Sequence, residues 1–290
     1  RPTAGRTYVP APEAVRAVNV ALHLRRPLLL EGPPGSGKSA LADAVARELD
    51  LGPVLVWPIN SRTTLRDGLY SYDAVGRLND LGWRTDPAAP SAADRVEKYL
   101  TLGPLGTALL PAARPRVLLI DEIDKGDGDL PNDLLHVLEN GWFTIPELER
   151  IADGRETVTV RVAGGKDGPT GATADVTGGV VRASTFPVVV ITSNAERDLP
   201  PAFRRRCVPH AMADPTEDRL AEIVVAHFDE DVAGAAGGLI REYLARVEGG
   251  EQLAIDQLLN AVFLLTGERA VPDEEREQIL AAVLHNLESS

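Results

Sequence analysis

Gly32-Pro33-Pro34-Gly35-Ser36-Gly37-Lys38-Ser39, read directly after the apolar run Pro27-Leu28-Leu29-Leu30, decides the fold of this 290-residue chain. The octet fits G-x-x-x-x-G-K-[ST] and stands where that pattern carries a mechanism, between a short buried strand and a helix. The helix is Ser39–Leu49, Ala-rich and apolar at three-to-four spacing. Glycines let successive backbone N–H groups curl around a polyphosphate, and the helix N-terminus adds the positive end of its dipole. Lys38 is then placed to reach the β- and γ-phosphates, and the Ser39 hydroxyl to ligate magnesium. A Gly/Pro-rich turn that merely contains Lys-Ser does not require a strand and a helix in register on its two sides. The octet reads as a nucleotide-binding loop, every residue from Gly32 to Ser39 included.

A second run, Arg116-Val117-Leu118-Leu119-Ile120-Asp121-Glu122, is apolar and ends in two adjacent carboxylates. Its length and composition suit a parallel strand covered on both faces. Ligands of open α/β sheets sit off the carboxyl ends of strands, which brings Asp121 and Glu122 beside the phosphate loop. Asp121 is suited to hold magnesium, as the acidic residue of a second strand does in P-loop enzymes. Glu122 is then free to deprotonate a water for attack on the γ-phosphate. Paired acids also simply end strands, but beside a phosphate loop the catalytic reading is stronger. A kinase excludes water rather than placing a base for it, and no Asn-Lys-x-Asp guanine-reading segment is present. ATP hydrolysis is the expected reaction.

The run Pro187–Asn194 is a third buried strand, ending in Asn194, which either forms a turn or hydrogen-bonds the attacking water or the γ-phosphate. Beyond it lies Leu199-Pro200-Pro201-Ala202-Phe203-Arg204-Arg205-Arg206-Cys207. The three arginines have three readings: a solvated charge run, a site for an acidic surface, or an arginine finger for a neighbouring subunit's nucleotide.

These four features, in this order, resemble the AAA+ ATPases. More narrowly the chain is similar to the MoxR-type group, in Leu130–Gly141 after the Asp-Glu strand, in Pro146-Glu147-Leu148 and in Leu199–Cys207. The resemblance runs from about Val9 to the C-terminus. It implies that Gly32 to Ser39 are Walker A, Asp121 and Glu122 Walker B, and Asn194 sensor 1. It places the arginine finger at Arg206, with Arg205 as the neighbouring candidate and Arg204 in an apolar position. One departure stands out: where the family often opens a lid helix with a sensor-2 arginine, this chain reads Gly250–Leu259 with none. Either sensing of the γ-phosphate by the lid is weakened, or another arginine such as Arg241 or Arg246 substitutes.

The expected fold class follows: α/β, a P-loop parallel-sheet core of AAA+ type with an inserted β-hairpin, plus a small all-α C-terminal lid. The core is expected over residues 1–213 and the helical lid over 214–290. Residues 12 to 24 read as an amphipathic helix with Pro12 in its first turn, and Val54–Trp57 as a further strand. The segment from about 61 to 110 is too long for a structureless connection and holds Tyr70, Tyr72, Trp83 and Tyr99. The resemblance makes it an insertion around the second helix, projecting toward a ring's central channel. Residues of about 143–187 form the second insertion. Glu156–Val162 alternates at strand period, Val176–Arg182 is placed to pair with it, and Gly164–Thr173 between them is a flexible tip by composition. The family counterpart is the pre-sensor-1 hairpin; an idle surface hairpin is the alternative. In the lid, helices are expected over Thr216–Phe228, Gly238–Val247, Ala254–Leu265 and Asp273–Leu287.

Composition narrows the partners. A net charge of −13 without a basic stripe argues against a general nucleic-acid surface, and charge is not zoned by halves strongly enough to rescue that idea. The single cysteine, Cys207, excludes an internal disulfide and fits a reducing cytosol, so a cytoplasmic protein is expected. Its arginine neighbours favour a thiolate, but a small buried side chain is the stronger reading. No apolar run approaches the ~20 residues of a membrane span, and no signal-peptide core leads the chain. The first residue is Arg1 rather than a methionine, so a trimmed chain is one expectation. The five histidines show no metal-ligand spacing.

The leading expectation is an ATP hydrolase using ATP and Mg2+, assembled as a homo-oligomeric ring of six, that remodels or activates a protein partner. The resemblance implies a von Willebrand A-type partner. An ATP-controlled assembly switch in a signalling or defence system is the alternative, slightly favoured by the missing sensor-2 arginine. A DNA translocase comes third, against the acidic balance.

Overall fold

A computed structural model describes residues 8–82, 95–150, 156–166, 168, 171–228, 230–266 and 275–285. Trp83, parts of the Gly164–Thr173 tip and both ends of the expected last helix lie outside the described residues.

Helix α1 (Pro12–Leu24) starts on proline and stops where Arg25 turns left-handed and returns its N–H to Ala21 and Leu22 carbonyls. Strand β1 (Leu28–Glu31) leads through the glycine loop into α2 (Lys38–Glu48), and β2 is Leu55–Pro58. Then come α3 (Leu65–Leu69), β3 (Tyr70–Tyr72), α4 (Ala74–Gly82), β4 (Leu100–Leu102) and α5 (Pro104–Ala108). Strand β5 (Val117–Asp121) is followed by a 3-10 turn, Ile123–Lys125, and by α6 (Leu130–Asn140). Next are β6 (Trp142–Thr144), α7 (Pro146–Glu149), β7 (Thr157–Arg161), β8 (Thr173–Thr177), β9 (Val180–Arg182) and β10 (Val188–Ser193). Helix α8 (Pro201–Arg204) and β11 (Val208–Ala211) complete this part of the chain. The helices α9 (Glu217–His227), α10 (Glu230–Ala235), α11 (Gly237–Glu248), α12 (Ile255–Thr266) and α13 (Arg276–Val283) follow.

Five strands form a parallel sheet in the order β11-β1-β10-β5-β2. Its centre is buried on both faces, so β5 and β10 read as continuous apolar runs rather than alternating ones. Alternate residues feed two cores. Leu28, Leu30, Val117, Leu119 and Val190 pack under α1 and the small-residue face of α2. Leu29, Leu118, Ile120, Val189 and Ile191 face the other way, toward Leu105, Leu134 and Phe203. Each fully buried Leu or Ile contributes roughly 1.5–3 kcal/mol.

The second sheet, ordered β3-β4-β7-β8-β9-β6, was not anticipated as one object. It joins the 61–110 insertion to the 143–187 insertion, because β4 pairs with β7 through Thr101 and Arg161. Its apolar side chains Leu100, Leu102, Val160, Val176 and Val181 belong to the same core as the parallel sheet. The expectation that Val176–Arg182 pairs with the Glu156–Val162 strand is corrected. Gly178 and Gly179, at φ 60° and 72°, break that run into two strands. Thr173–Thr177 then pairs with Thr157–Arg161, while Val180–Arg182 returns to Trp142–Thr144. The described part of the hairpin tip is also docked rather than free: the Lys166 amide donates to the Val54 carbonyl at 3.1 Å, and its ammonium reaches Asp43 at 2.6 Å.

The C-terminal helices close on a core of their own, built from Leu220, Val224, Leu239, Ile240, Tyr243, Leu258, Val262 and Leu284. Charge divides along the same line. Residues 214–290 carry seventeen acidic and five basic side chains, so almost the whole net −13 lies there. Among the described residues no helix is long and apolar enough to cross a membrane.

Candidate nucleotide site

Strands β1, β5 and β10 run parallel and end level, Glu31 beside Ser193 and Ile191 beside Ile120. Three sequence-predicted groups therefore meet at one sheet edge: the glycine loop, the Asp121-Glu122 pair and Asn194.

The loop needs its glycines. Gly32, Gly35 and Gly37 adopt φ of 155°, 73° and 87°, a region L side chains rarely enter. Gly37 caps α2. The amides of Gly35 and Gly37 find no protein acceptor among the described residues, and the buried Ser36 hydroxyl is likewise unpartnered. With the first-turn amides of α2, these donors suit a polyphosphate. Lys38 is 7 % exposed and folds back on the loop, donating to the Gly32 and Pro33 carbonyls at 2.7 and 2.8 Å. Burial pushes its ammonium below the usual lysine range, while Asp121, Asp124 and Glu122 pull it back up. An anion delivered to this lysine recovers part of that burial cost.

Ser39 Oγ donates to Asp121 Oδ1 at 3.0 Å, linking the two residues expected to hold magnesium. The same oxygen accepts from Thr192 Oγ1 at 2.7 Å, and that hydroxyl accepts the Glu122 amide at 2.8 Å. Thr192 is fully buried and ties β10 to the end of β5. Glu122 sits at φ 58°, a left-handed backbone that costs a non-glycine residue on the order of 1 kcal/mol. Such strain collects at functional positions. Its Oε1 accepts from the Asn194 side-chain amide at 3.1 Å, and its Oε2 lies 2.9 Å from the Lys125 ammonium. Glu122 and Asn194 are thus in direct contact.

Four further residues were missed by sequence reasoning. Besides Thr192 and Lys125 they are Asp124 and Arg197. Asp124 is 4 % exposed, and its Oδ2 accepts the backbone N–H groups of Asn194 and Glu196 at 3.0 Å each. The Arg197 guanidinium donates to the carbonyls of Asp124 and Gly126. A third acid two residues past Glu122 was the available signal for this clamp.

The arginine run behaves differently. Arg204 does not take an apolar position: it is exposed and forms a two-toothed ion pair with Glu31, while Phe203 fills the buried slot. Arg206 pairs with Glu139 of α6 and donates to the Ala202 carbonyl at 3.1 Å. The Arg205 side chain is exposed and has no partner among the described residues. Neither Arg205 nor Arg206 hydrogen-bonds the loop, Asp121, Glu122 or Asn194 of its own chain. Cys207 is 5 % exposed, and burial pushes its thiol up to about 12 despite Arg204 nearby. It is a packing residue.

The C-terminal helices touch the loop. The Ile255 amide approaches the Gly35 carbonyl at 3.4 Å, and a Cβ on Gly35 would lie 2.2 Å from Ala254 Cβ. A cavity of about 210 Å3 opens between Pro33–Ser36 and a wall that includes Asp214, Tyr243, Val247 and Leu253. Among the described residues no cationic side chain lines it: Arg246 pairs with Glu251 and Arg241 with Glu217.

With this geometry in place, a sequence model described as the AAA domain, dynein-related subfamily, matches residues 27–207, well over half of the chain. No curated protein matches it.

Proposed function

Because the chain belongs to the dynein-related subfamily of AAA domains, we propose that it is a MoxR-like AAA+ ATPase that hydrolyses ATP at the subunit interfaces of a ring and thereby remodels or activates a protein partner. The observation that carries the reading is the contact network joining Ser39, Asp121, Thr192, Glu122 and Asn194 at the edge beside the phosphate loop. Gly32–Ser39 hold the triphosphate of ATP through backbone N–H groups and Lys38. Ser39 and Asp121 would hold Mg2+, which would neutralise phosphate charge when bound. Glu122 takes a proton from water as that water's oxygen bonds to the γ-phosphorus. The bond to the bridging oxygen breaks, and ADP and phosphate leave. Asn194 orients the water or the γ-phosphate. Arg206 or Arg205 reaches the nucleotide of the neighbouring subunit, since neither engages its own site. The exposed Arg205 is free for this, whereas Arg206 must first leave Glu139.

Residues 214–290 act as the lid over the nucleotide. Hydrolysis changes the angle between core and lid and moves the second sheet against the partner, for which a von Willebrand A-type protein is the class we propose. A ring of six is the proposed assembly and the cytoplasm the proposed location. A second reading, the slow ATP-controlled assembly switch, is favoured by Ala254 and Ile255 lying against Gly35 where a lid arginine would sense the γ-phosphate.

The test is Mg-ATP turnover beside Mg-ATP binding. Glu122→Gln should bind ATP like the wild type and turn over at least about 100-fold more slowly, the usual worth of a general base. Wild-type turnover in that variant removes Glu122 as the base.

A further inference from the structure

Both oxygens of the Glu122 carboxylate are engaged by cationic or polar donors. Asn194 donates to Oε1 at 3.1 Å and the Lys125 ammonium sits 2.9 Å from Oε2. The two donors stand on segments that cannot drift apart. Asp124, directly before Lys125, ties its turn to the backbone of Asn194 and Glu196, and Arg197 staples the same turn through the Asp124 and Gly126 carbonyls. Among the described residues the partners of Lys125 are acids: Glu122 bonds it directly and, with Glu196 and Asp124, keeps its ammonium above the ordinary lysine range. A general base must offer an oxygen to the water it deprotonates, and here an ammonium competes with water for that oxygen.

We propose that Lys125 is a positioning residue that holds Glu122 in a resting orientation and restrains basal ATP turnover. The inference rests on Glu122 being the base of the proposed hydrolysis. The restraint is small by construction. Both side chains are about 40 % exposed, Lys125 40 % and Glu122 38 %, and a pair so exposed changes a population about two- to fivefold, not a hundredfold.

The experiment measures kcat and KM for Mg-ATP at a protein concentration where specific activity no longer rises, for the wild type, Glu122→Gln, Lys125→Met and Lys125→Arg. With Glu122→Gln slow, Lys125→Met should raise kcat about two- to fivefold at low salt with KM unchanged, and Lys125→Arg, which keeps the ion pair, should match the wild type. Raising ionic strength at saturating ATP should lift the wild type toward the Lys125→Met rate and leave that variant flat, because salt screens the pair. A Lys125→Met kcat equal to or below the wild type overturns the restraint while leaving the base intact. A Glu122→Gln enzyme as fast as the wild type removes the base and the restraint together. Should Lys125→Met fail to fold, the wild-type salt series decides: a flat or falling kcat overturns the proposal.

Discussion

Lys38 is the residue on which binding turns. It is buried against two loop carbonyls and pays for that burial in protonation, so the nucleotide-free protein gains little from it. Lys38→Ala should therefore leave the melting temperature of the free protein nearly unchanged while removing the stabilisation that Mg-ATP gives the wild type. An undiminished ATP-induced shift in that variant would exclude Lys38 from phosphate binding. At this scale the sequence was readable where chemistry follows a spaced motif: Gly32 to Ser39, Asp121, Glu122 and Asn194 do meet at one sheet edge. It was unreadable where a residue's partner is far along the chain and its own spacing carries no pattern. Thr192 meets Asp121 across 71 positions, and nothing in its sequence neighbourhood sets it apart from any strand threonine. Arg204 misled for a related reason, since its partner Glu31 lies 173 positions away.

At the scale of elements, Gly35 and the start of α12 share one narrow space. Gly35→Ala must both adopt a left-handed backbone and displace Ala254, so the C-terminal helices should lift from the loop. The expected readout is a weaker Mg-ATP affinity with the far-ultraviolet circular dichroism unchanged; wild-type affinity would show that the contact does not position the site. The second sheet gives another test. Leu100 is fully buried in the core that β4 shares with the parallel sheet, so Leu100→Ala should cost about 2–5 kcal/mol in denaturant unfolding. The inserted sheet and the core should melt together. An early transition confined to the insertion would mean that the two are independent. The parallel strands were legible because continuous apolar runs bounded by polar residues mark buried strands. The six-stranded sheet was not, because it is assembled from strands of three to five residues drawn from two distant stretches of chain, and the Gly178-Gly179 turn was hidden inside an otherwise alternating run. The C-terminal helices were legible from periodicity, except the short α10.

For the whole molecule, the proposed site draws Gly32–Ser39, Asp121, Glu122 and Asn194 from one chain, whereas neither Arg205 nor Arg206 hydrogen-bonds them. In the proposed reading Arg205 and Arg206 serve a neighbouring subunit; residues 1–213 are nearly neutral while the acidic charge collects beyond them. A double substitution, Arg205→Ala with Arg206→Ala, should retain ATP binding and lose turnover by about 10³-fold or more. Mixing that variant with Glu122→Gln should restore some activity, because certain interfaces then combine an intact base with an intact arginine. Absence of any rescue under conditions where the two exchange subunits would count against an intersubunit site. The most direct measurement is light scattering of Glu122→Gln on a sizing column, with and without Mg-ATP. The account predicts an ATP-dependent shift to a ring-sized particle; a chain that stays monomeric with ATP demonstrably bound would contradict it.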